Sequence, residues 1–454
     1  MPAALAPSTP AAARLRQALE RSVRRWDGRR ALRVEVPADV ADPLAWLDAQ
    51  GGPFRSYWRG RGETTARASV GAALVAEAAG ADRLADALAD LPAGARMTLT
   101  ARFDGAAEAG SEWAAFGSAR LVLPRVEYRT DGRTAALAVH VAPGESLSEA
   151  SAALGALRPP PPVADGPLPL PFMRRDDPDR AEWDRMLRWA LGAFREGTLS
   201  KVVLARRARF LFERDVDPVA LLRRLEAATP RCFHALVAPG GGPAFVTATP
   251  ERLFRIEGRT VQTEAVAGTR PRAASDADDD RLRDELLGSE KDLREHGYGR
   301  GHIAAALAPL ADALDVDDQA SAMTLARGRH LYTGVRGTLA TGVGALDVLR
   351  VLHPTPAVGG TPTPAALDAI GRLEPFDRGL YAGPVGWIGR DEAGREAADV
   401  AVGIRSGLVE GRTLSLYSGA GIVAGSDPGA EWAEIEHKIG DFARVLGLAD
   451  RVEA

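Results

Sequence analysis

Hydrophobic side chains recur at helical spacing in one stretch of the second half of the chain. The apolar positions fall three and four residues apart: Trp183, Met186, Leu187, Ala190, Leu191 and Phe194. This spacing places them on one face of a helix, and Gly197 is suited to end it. Similar patterns predict helices at about 279–312 and 430–448, and the Ala-rich stretch 66–91 is predicted to be helical as well.

Segments rich in β-branched residues predict strands, several of them paired in hairpins. The clearest hairpin joins residues 122–128 to 134–141 across Asp131-Gly132, a dipeptide that suits the positive φ angles of a tight turn. Further strands are predicted at 202–212, 385–388 and 400–405, and further hairpins are predicted at 253–256 with 260–264 and within 407–418. Helices mixed with hairpins indicate an α+β fold.

A proline-rich segment divides the chain. Residues 158–172 contain seven prolines, and proline can neither donate a helix hydrogen bond nor pair as a central strand. We interpret this segment as an extended connector between an N-terminal α+β half, 31–157, and a second half, 173–454. Residues 1–30 are interpreted as a tail and a first helix, with a faint likeness to an organelle transit peptide as the alternative.

Composition narrows the classes of function. The chain has 454 residues, 57 Lys and Arg, 61 Asp and Glu and a net charge of −4, so we expect neither nucleic acid nor an acidic membrane as a partner. No stretch approaches the ~20 apolar residues of a membrane span. The single cysteine, Cys232, allows no intramolecular disulfide and suits the reducing cytoplasm.

Two predicted helices present carboxylates three residues apart. Asp292 and Glu295 lie on the first, and Glu431 and Glu434 lie on the second, where Lys438 shares their face. An ordinary solvated helix surface would give the same pattern. If the two helices meet across a cleft, their carboxylates would suit Mg²⁺, which binds a few carboxylates together with water and substrate oxygens.

A series of seven segments is more specific than either helix. The segments are 200–206 (SKVVLAR), 248–253 (ATPERL), 265–270 (AVAGTR), 289–296 (SEKDLREH), 353–360 (HPTPAVGG), 403–405 (GIR) and 418–434, which begins SGAGIV and ends EWAE. In this order they resemble the chorismate-utilising enzymes, most closely the isochorismate synthases. The resemblance is close over about 170–450 and looser at 113–125.

The resemblance implies a fold and a reaction. The family's fold is a single large α/β (α+β) unit, in which two mostly antiparallel sheets pack together with helices outside and the site lies in the cleft. The implied reaction adds water at C2 of chorismate and expels the C4 hydroxyl, giving isochorismate with Mg²⁺ as cofactor. Such an enzyme is an isomerase, a hydroxymutase.

The resemblance also implies the two groups that move protons. Lys201 matches the general base, which needs its pKa lowered from ~10.4, and Glu251 matches the general acid, which needs a raised pKa. The sequence offers Arg206, Arg252 and Lys438 as charges that could tune them.

Metal and substrate contacts are implied in the same way. Glu295 and Glu434 match Mg²⁺ ligands, with Asp292 and Glu431 as outer or water-mediated partners. The matched substrate contacts are Arg405 and Tyr381 at the enolpyruvyl carboxylate, Gly421 and Lys438 at further carboxylate oxygens, and Gly268, Thr269 and His330 around the ring. His353 is either a pocket member or a structural residue before Pro354.

A few positions separate the members of the family. Relatives that insert ammonia carry glutamine at the position of Lys201, and aminodeoxychorismate synthases carry a nucleophilic lysine at the position of Ala267. Salicylate synthases tend to carry threonine at the position of Ala357. The residues here favour an isochorismate synthase. Because water is then the nucleophile, no amidotransferase subunit is expected and a monomer is favoured. Menaquinone biosynthesis is the expected pathway from its frequency among free-living bacteria, and no residue of the sequence decides it.

Three alternatives stay open at this point. The first is a salicylate synthase, and the second is an isochorismate synthase of a siderophore pathway. The third, from a different class, is a non-catalytic subunit that binds chorismate, which the retention of both Lys201 and Glu251 disfavours. A magnesium-dependent phosphate enzyme would also use paired carboxylates, but the sequence has no phosphate loop.

Overall fold

The computed structural model describes residues 10–77, 81–105, 111–160, 168–273, 275–325 and 328–447. Its strands are β1 (Leu32–Ala38), β2 (Arg55–Arg59), β3 (Ala66–Glu77), β4 (Arg96–Ala101), β5 (Ala119–Thr130), β6 (Ala135–Val141), β7 (Pro171–Asp177), β8 (Lys201–Phe212), β9 (Phe233–Ala238), β10 (Ala244–Thr249), β11 (Arg252–Glu257), β12 (Thr260–Pro271), β13 (Ala311–Val316), β14 (Ser321–Thr324), β15 (Gly328–Leu339), β16 (Gly360–Thr361), β17 (Pro384–Arg390), β18 (Glu396–Val402), β19 (Ser406–Glu410) and β20 (Thr413–Val423). Its α-helices are α1 (Pro10–Val23), α2 (Pro43–Ala49), α3 (Ala81–Ala89), α4 (Leu147–Ala156), α5 (Arg180–Arg195), α6 (Pro218–Ala228), α7 (Asp276–Gly288), α8 (Glu290–Leu307), α9 (Ala345–Leu352), α10 (Thr363–Leu373) and α11 (Pro428–Val445). Residues 1–9 of the predicted tail and 161–167 of the predicted connector lie outside the described ranges.

These strands form one network of antiparallel pairs with two branches. The first branch runs β1–β6–β5–β3–β2–β9–β10–β19–β20–β8–β7, and the second runs β5–β4–β17–β18–β11–β12–β15. Strand β5 belongs to both branches, because one of its edges pairs with β3 while the other pairs first with β4 and then with β6. The predicted antiparallel α/β architecture is confirmed, with the two sheets joined along β5.

The two halves of the sequence share this network. Strand β2 pairs with β9, and β4 pairs with β17, so strands from before the proline-rich segment lie between strands from after it. In the described part of the chain, no helix combines the length and the apolar character that crossing a bilayer requires.

The helix predicted over 66–91 is wrong for its first half. Residues Ala66–Glu77 form β3, and the helix in this region is α3, Ala81–Ala89. Strand β3 is paired on both edges, with β2 and β5, and Ala66 and Ala68 are completely buried. Alanine has a helical propensity in isolation, but here the pairing and burial of the strand override it.

The helices that carry the candidate carboxylates are placed by their caps. The helical region predicted at 279–312 is two helices, because Ser289 ends α7 and its hydroxyl accepts the N–H of Asp292 at the start of α8. Asp427 caps α11 by accepting the N–H of Ala430 at 2.8 Å. Helix α8 packs against β12, and α11 packs against β20, so each helix lies beside a strand that contributes to the cavity described below.

Candidate active site

One cavity of about 260 Å³ is lined by all the site residues predicted from the sequence except His353, which the sequence left open. Its lining includes Lys201, Glu251, Gly268, Thr269, Asp292, Glu295, His330, Ala357, Tyr381, Arg405, Gly421, Glu431, Glu434 and Lys438. These residues come from both branches of the strand network and from α8 and α11. The arrangement places them close enough to act on one small molecule.

Lys201 is buried at the start of β8. Its side chain is 1% exposed, and its Nζ lies 3.0 Å from Oε1 of Glu295 on α8. Gly421 on the neighbouring strand β20 makes this contact possible, because a Cβ at that position would overlap the Glu295 carboxylate. A lysine at the start of a strand is often exposed to solvent, and the burial of Lys201 excludes that here.

Glu251 is a buried carboxyl between β10 and β11. Burial, and then the negative charge of Glu264, raise the pKa of Glu251 from 4.5 to about 8, while Lys201 and Arg61 act in the opposite direction. At neutral pH the side chain is therefore mainly protonated. It can donate a proton to a group in the cavity, which is what a general acid must do.

The charges around Glu251 differ from those expected. The Cζ of Arg206 lies 3.2 Å from the centroid of the Trp432 ring, and Arg252 pairs with Asp399 at 3.3 Å. Neither of them, nor Lys438, is among the charges that act on Glu251. Arg61 and Glu264 occupy that place. Sequence reasoning missed this pair because its members are 203 residues apart and belong to no motif.

Each of the four candidate metal-binding carboxylates has a cationic partner. The pairs are Glu295 with Lys201 at 3.0 Å, Glu434 with Lys438 at 2.6 Å, Asp292 with Arg270 at 2.8 Å and Glu431 with Lys291 at 3.1 Å. Burial raises the pKa of Glu431. Burial also acts on Glu434, but Lys438, Lys291 and Arg405 outweigh it and hold its pKa below the usual value.

The residues present fit a hard divalent cation that takes few protein ligands. Within the described ranges, no group of three or more His, Cys, Asp or Glu side chains converges as a complete metal cage. The four carboxylates nevertheless line one cavity from two helices, and carboxylate oxygens are the donors that Mg²⁺ prefers, with water and substrate filling the other positions.

Arg405 and Tyr381 offer donors that no described protein group uses. The predicted strand 400–405 ends at Val402, and Arg405 lies beyond it in a turn with a φ of 48°. Across the described residues, the Arg405 guanidinium has no hydrogen bond or ion pair. The buried Tyr381 stacks on Tyr417 with ring centroids 5.5 Å apart, and its hydroxyl is likewise unbonded in this part of the chain. A guanidinium beside a phenol suits a carboxylate.

His330 closes one side of the cavity as a neutral imidazole. Burial, and then the nearby Arg405, lower the pKa of His330 to about 4. Its Nδ1 lies 2.9 Å from the carbonyl oxygen of Gly268 and 3.1 Å from the Thr269 hydroxyl. Because a carbonyl only accepts, the proton is assigned to Nδ1. Gly268 itself has a φ of 64°, a conformation that favours glycine.

His353, left open by the sequence, has a structural role. Its Nε2 lies 3.2 Å from the carbonyl oxygen of Arg102 and 3.1 Å from that of Phe103. His353 is absent from the cavity lining. It ties the end of α9 to the segment after β4.

The chain belongs to the chorismate binding enzyme family, whose model matches residues 16–447. It is 36% identical over 360 residues to isochorismate synthase 2, chloroplastic, of Arabidopsis thaliana, an alignment that covers 76% of this chain and 63% of the relative. It is 35% identical over 372 residues to the salicylate biosynthesis isochorismate synthase of Pseudomonas aeruginosa, covering 80% of this chain and 76% of the relative.

A solved structure extends the likeness to almost the whole chain. MenF, the menaquinone-specific isochorismate synthase from Escherichia coli, superposes with a TM-score of 0.83 at 29% identity. The match covers 95% of this chain and 99% of that structure. The plant relative is longer, since this chain spans less than two thirds of its length.

Proposed function

We propose that this protein is an isochorismate synthase, which converts chorismate to isochorismate. One observation carries the proposal: a buried lysine and a buried carboxyl that stays protonated near neutral pH line the same cavity. Isomerisation by exchange of a hydroxyl needs one group to take a proton and another to give one. The names of the relatives support the same reaction.

In the proposed mechanism, Lys201 accepts a proton from a water molecule that attacks C2 of the ring. The double bonds shift, the bond from C4 to its hydroxyl breaks, and Glu251 donates a proton to the departing oxygen. One water enters and one leaves, so the substrate is isomerised. Proton return from Lys201 to Glu251 through solvent completes the cycle.

The groups proposed to hold the substrate include two, on Arg405 and Tyr381, whose donors have no hydrogen-bond partner among the described residues. Arg405 and Tyr381 bind the enolpyruvyl carboxylate, and His330 and Thr269 border the ring. Glu295 and Glu434 are the proposed ligands of Mg²⁺, with Asp292 and Glu431 acting through water. The metal, when bound, supplies the counter-charge for the ring carboxylate.

The direct test is incubation of the purified protein with chorismate and Mg²⁺, followed by chromatographic identification of the product. We expect isochorismate. Salicylate as the main product would make the protein a salicylate synthase, and anthranilate in the presence of ammonia would assign the ammonia-dependent reaction. Bound but unchanged chorismate would support the non-catalytic alternative. Salicylate, anthranilate or unchanged chorismate would each contradict the proposal.

We further propose that the isochorismate serves menaquinone biosynthesis, which the likeness to MenF over most of the chain supports. The Pseudomonas relative, named for salicylate biosynthesis, favours a siderophore-type pathway as the alternative. Restoration of menaquinone synthesis in a bacterium that lacks its own menaquinone-specific enzyme tests the choice. We also propose that the protein is cytoplasmic and acts as a monomer without an amidotransferase subunit. Size-exclusion chromatography of the active protein tests whether it is a monomer.

A further inference from the structure

We infer that the ion pair between Arg61 and Glu264 positions Glu251 for proton donation. The inference rests on the proposed function and adds two residues to it. Neither belongs to a motif of the sequence, and neither lines the cavity. Both act on Glu251 from behind, through its backbone and through their charges.

The pair holds the two peptide groups on either side of Glu251. Arg61 donates to the carbonyl oxygen of Pro250, which belongs to the peptide before Glu251. Glu264 accepts the N–H of Arg252 at 2.9 Å, which belongs to the peptide after it. Fixing both peptides restrains the backbone angles of Glu251 and thereby the direction in which its side chain leaves the backbone.

The pair is itself rigid. Both guanidinium nitrogens of Arg61 bind the Glu264 carboxylate, at 2.7 and 2.6 Å, in the two-pronged geometry that gives arginine its specificity for carboxylates. The Glu264 side chain is 2% exposed, and the Arg61 guanidinium lies 5.3 Å from the centroid of the Phe233 ring. A bidentate pair whose carboxylate is buried resists rotation more than an exposed pair does.

The charges of the pair act on Glu251 in opposite directions. The groups that face Glu251 are Glu264 on β12, Lys201 on β8, Arg61 after β2 and Tyr381 after α10. Glu264 favours the protonated carboxyl, whereas Arg61 and Lys201 favour the ionised one. Geometry and charge can therefore be separated by changing one partner at a time.

Two conservative variants make the separation. Arg61→Lys keeps the positive charge but loses the two-pronged contact with Glu264, so we expect kcat to fall about 10- to 100-fold with little change in KM. The alkaline limb of the pH profile, which is the fall in kcat/KM as Glu251 ionises, should stay at the same pH. Glu264→Gln keeps an acceptor for the Arg252 N–H but loses the charge. It should lower kcat and also move the alkaline limb to lower pH, because Arg61 then acts on Glu251 unopposed.

A second bidentate ion pair provides the control. Arg125 binds Glu145 in the N-terminal half, and neither residue lines the cavity. Glu145→Gln should lower the melting temperature while leaving kcat and its pH profile unchanged. This separates loss of stability from loss of positioning.

The inference is overturned if folded Arg61→Lys and Glu264→Gln proteins keep the kcat and the alkaline limb of the unmodified enzyme. It is also overturned if kcat falls in both variants by no more than it falls in Glu145→Gln. If Glu264→Gln does not fold, Arg61→Lys decides alone. Failure of the proposed function gives a different result, since the unmodified protein would then form no isochorismate in the same assay.

Discussion

Replacing Glu251 by glutamine should inactivate the enzyme and, at alkaline pH, stabilise the fold. The amide has nearly the shape of the carboxylic acid but can neither give up a proton nor ionise. Loss of a general acid typically lowers the rate by ~10²–10⁴-fold. We therefore expect a fall of that order in kcat, with binding of chorismate largely retained because Arg405 and Tyr381 are unchanged.

The effect on stability follows from the raised pKa of Glu251, from 4.5 to about 8. The folded protein holds this proton more tightly than the unfolded chain does, so the free energy of unfolding falls as pH rises from 4.5 through about 8. At about 1.36 kcal/mol per pKa unit, the largest loss is roughly 5 kcal/mol. Glu251→Gln removes this loss, so its advantage over the unmodified protein should grow with pH to a few kcal/mol.

The assay pairs kinetics with urea unfolding at several pH values between 4 and 9. Glu226→Gln is the control, because burial also raises the pKa of Glu226, while its partners are Tyr57 and Arg59, neither of which lines the cavity. The control should change the pH dependence of unfolding without lowering kcat. A Glu251→Gln protein that keeps most of its kcat, or whose unfolding depends on pH as the unmodified protein's does, would refute the assignment.

Three further predictions address the other groups of the cavity. Lys201→Ala should lower kcat by ~10²–10⁴-fold with a much smaller change in chorismate binding, and near-normal turnover would exclude Lys201 as the base. EDTA should abolish turnover and added Mg²⁺ should restore it, because the substrate carboxylate needs a counter-charge, whereas undiminished activity in metal-free buffer would remove the metal from the account. Ala357→Thr should modestly raise any release of pyruvate and salicylate, measured by chromatography, and an unchanged product ratio would show that this position does not control the outcome.

The sequence predicted the site better than it predicted the local structure around it. The order of segments such as 200–206 and 289–296 resembles a known family, and this resemblance predicts Lys201 and Glu295 as site residues. Both line the cavity. The Ala-rich β3 has a composition typical of a helix, and its pairing with β5, which is distant in sequence, favours the strand.

The groups that surround Glu251 could not be predicted from the sequence. Arg61 and Glu264 are 203 residues apart and form their ion pair only in the folded chain. No short-range sequence pattern indicates this contact. Arg270 and Lys291 lie inside two of the segments, but their pairing with Asp292 and Glu431 becomes visible only in the folded chain. Burial, and then the charges of groups that are distant in sequence, set the pKa of Glu251, and both follow from the fold rather than from a local pattern.

The most direct test of the central claim is the reaction of chorismate with Mg²⁺ in water enriched in oxygen-18, with mass spectrometry of the product. We expect isochorismate that carries one solvent-derived oxygen at C2, formed by the unmodified protein and not by Lys201→Ala. Isochorismate without the label would contradict attack by water, and the absence of isochorismate would contradict the proposed function itself.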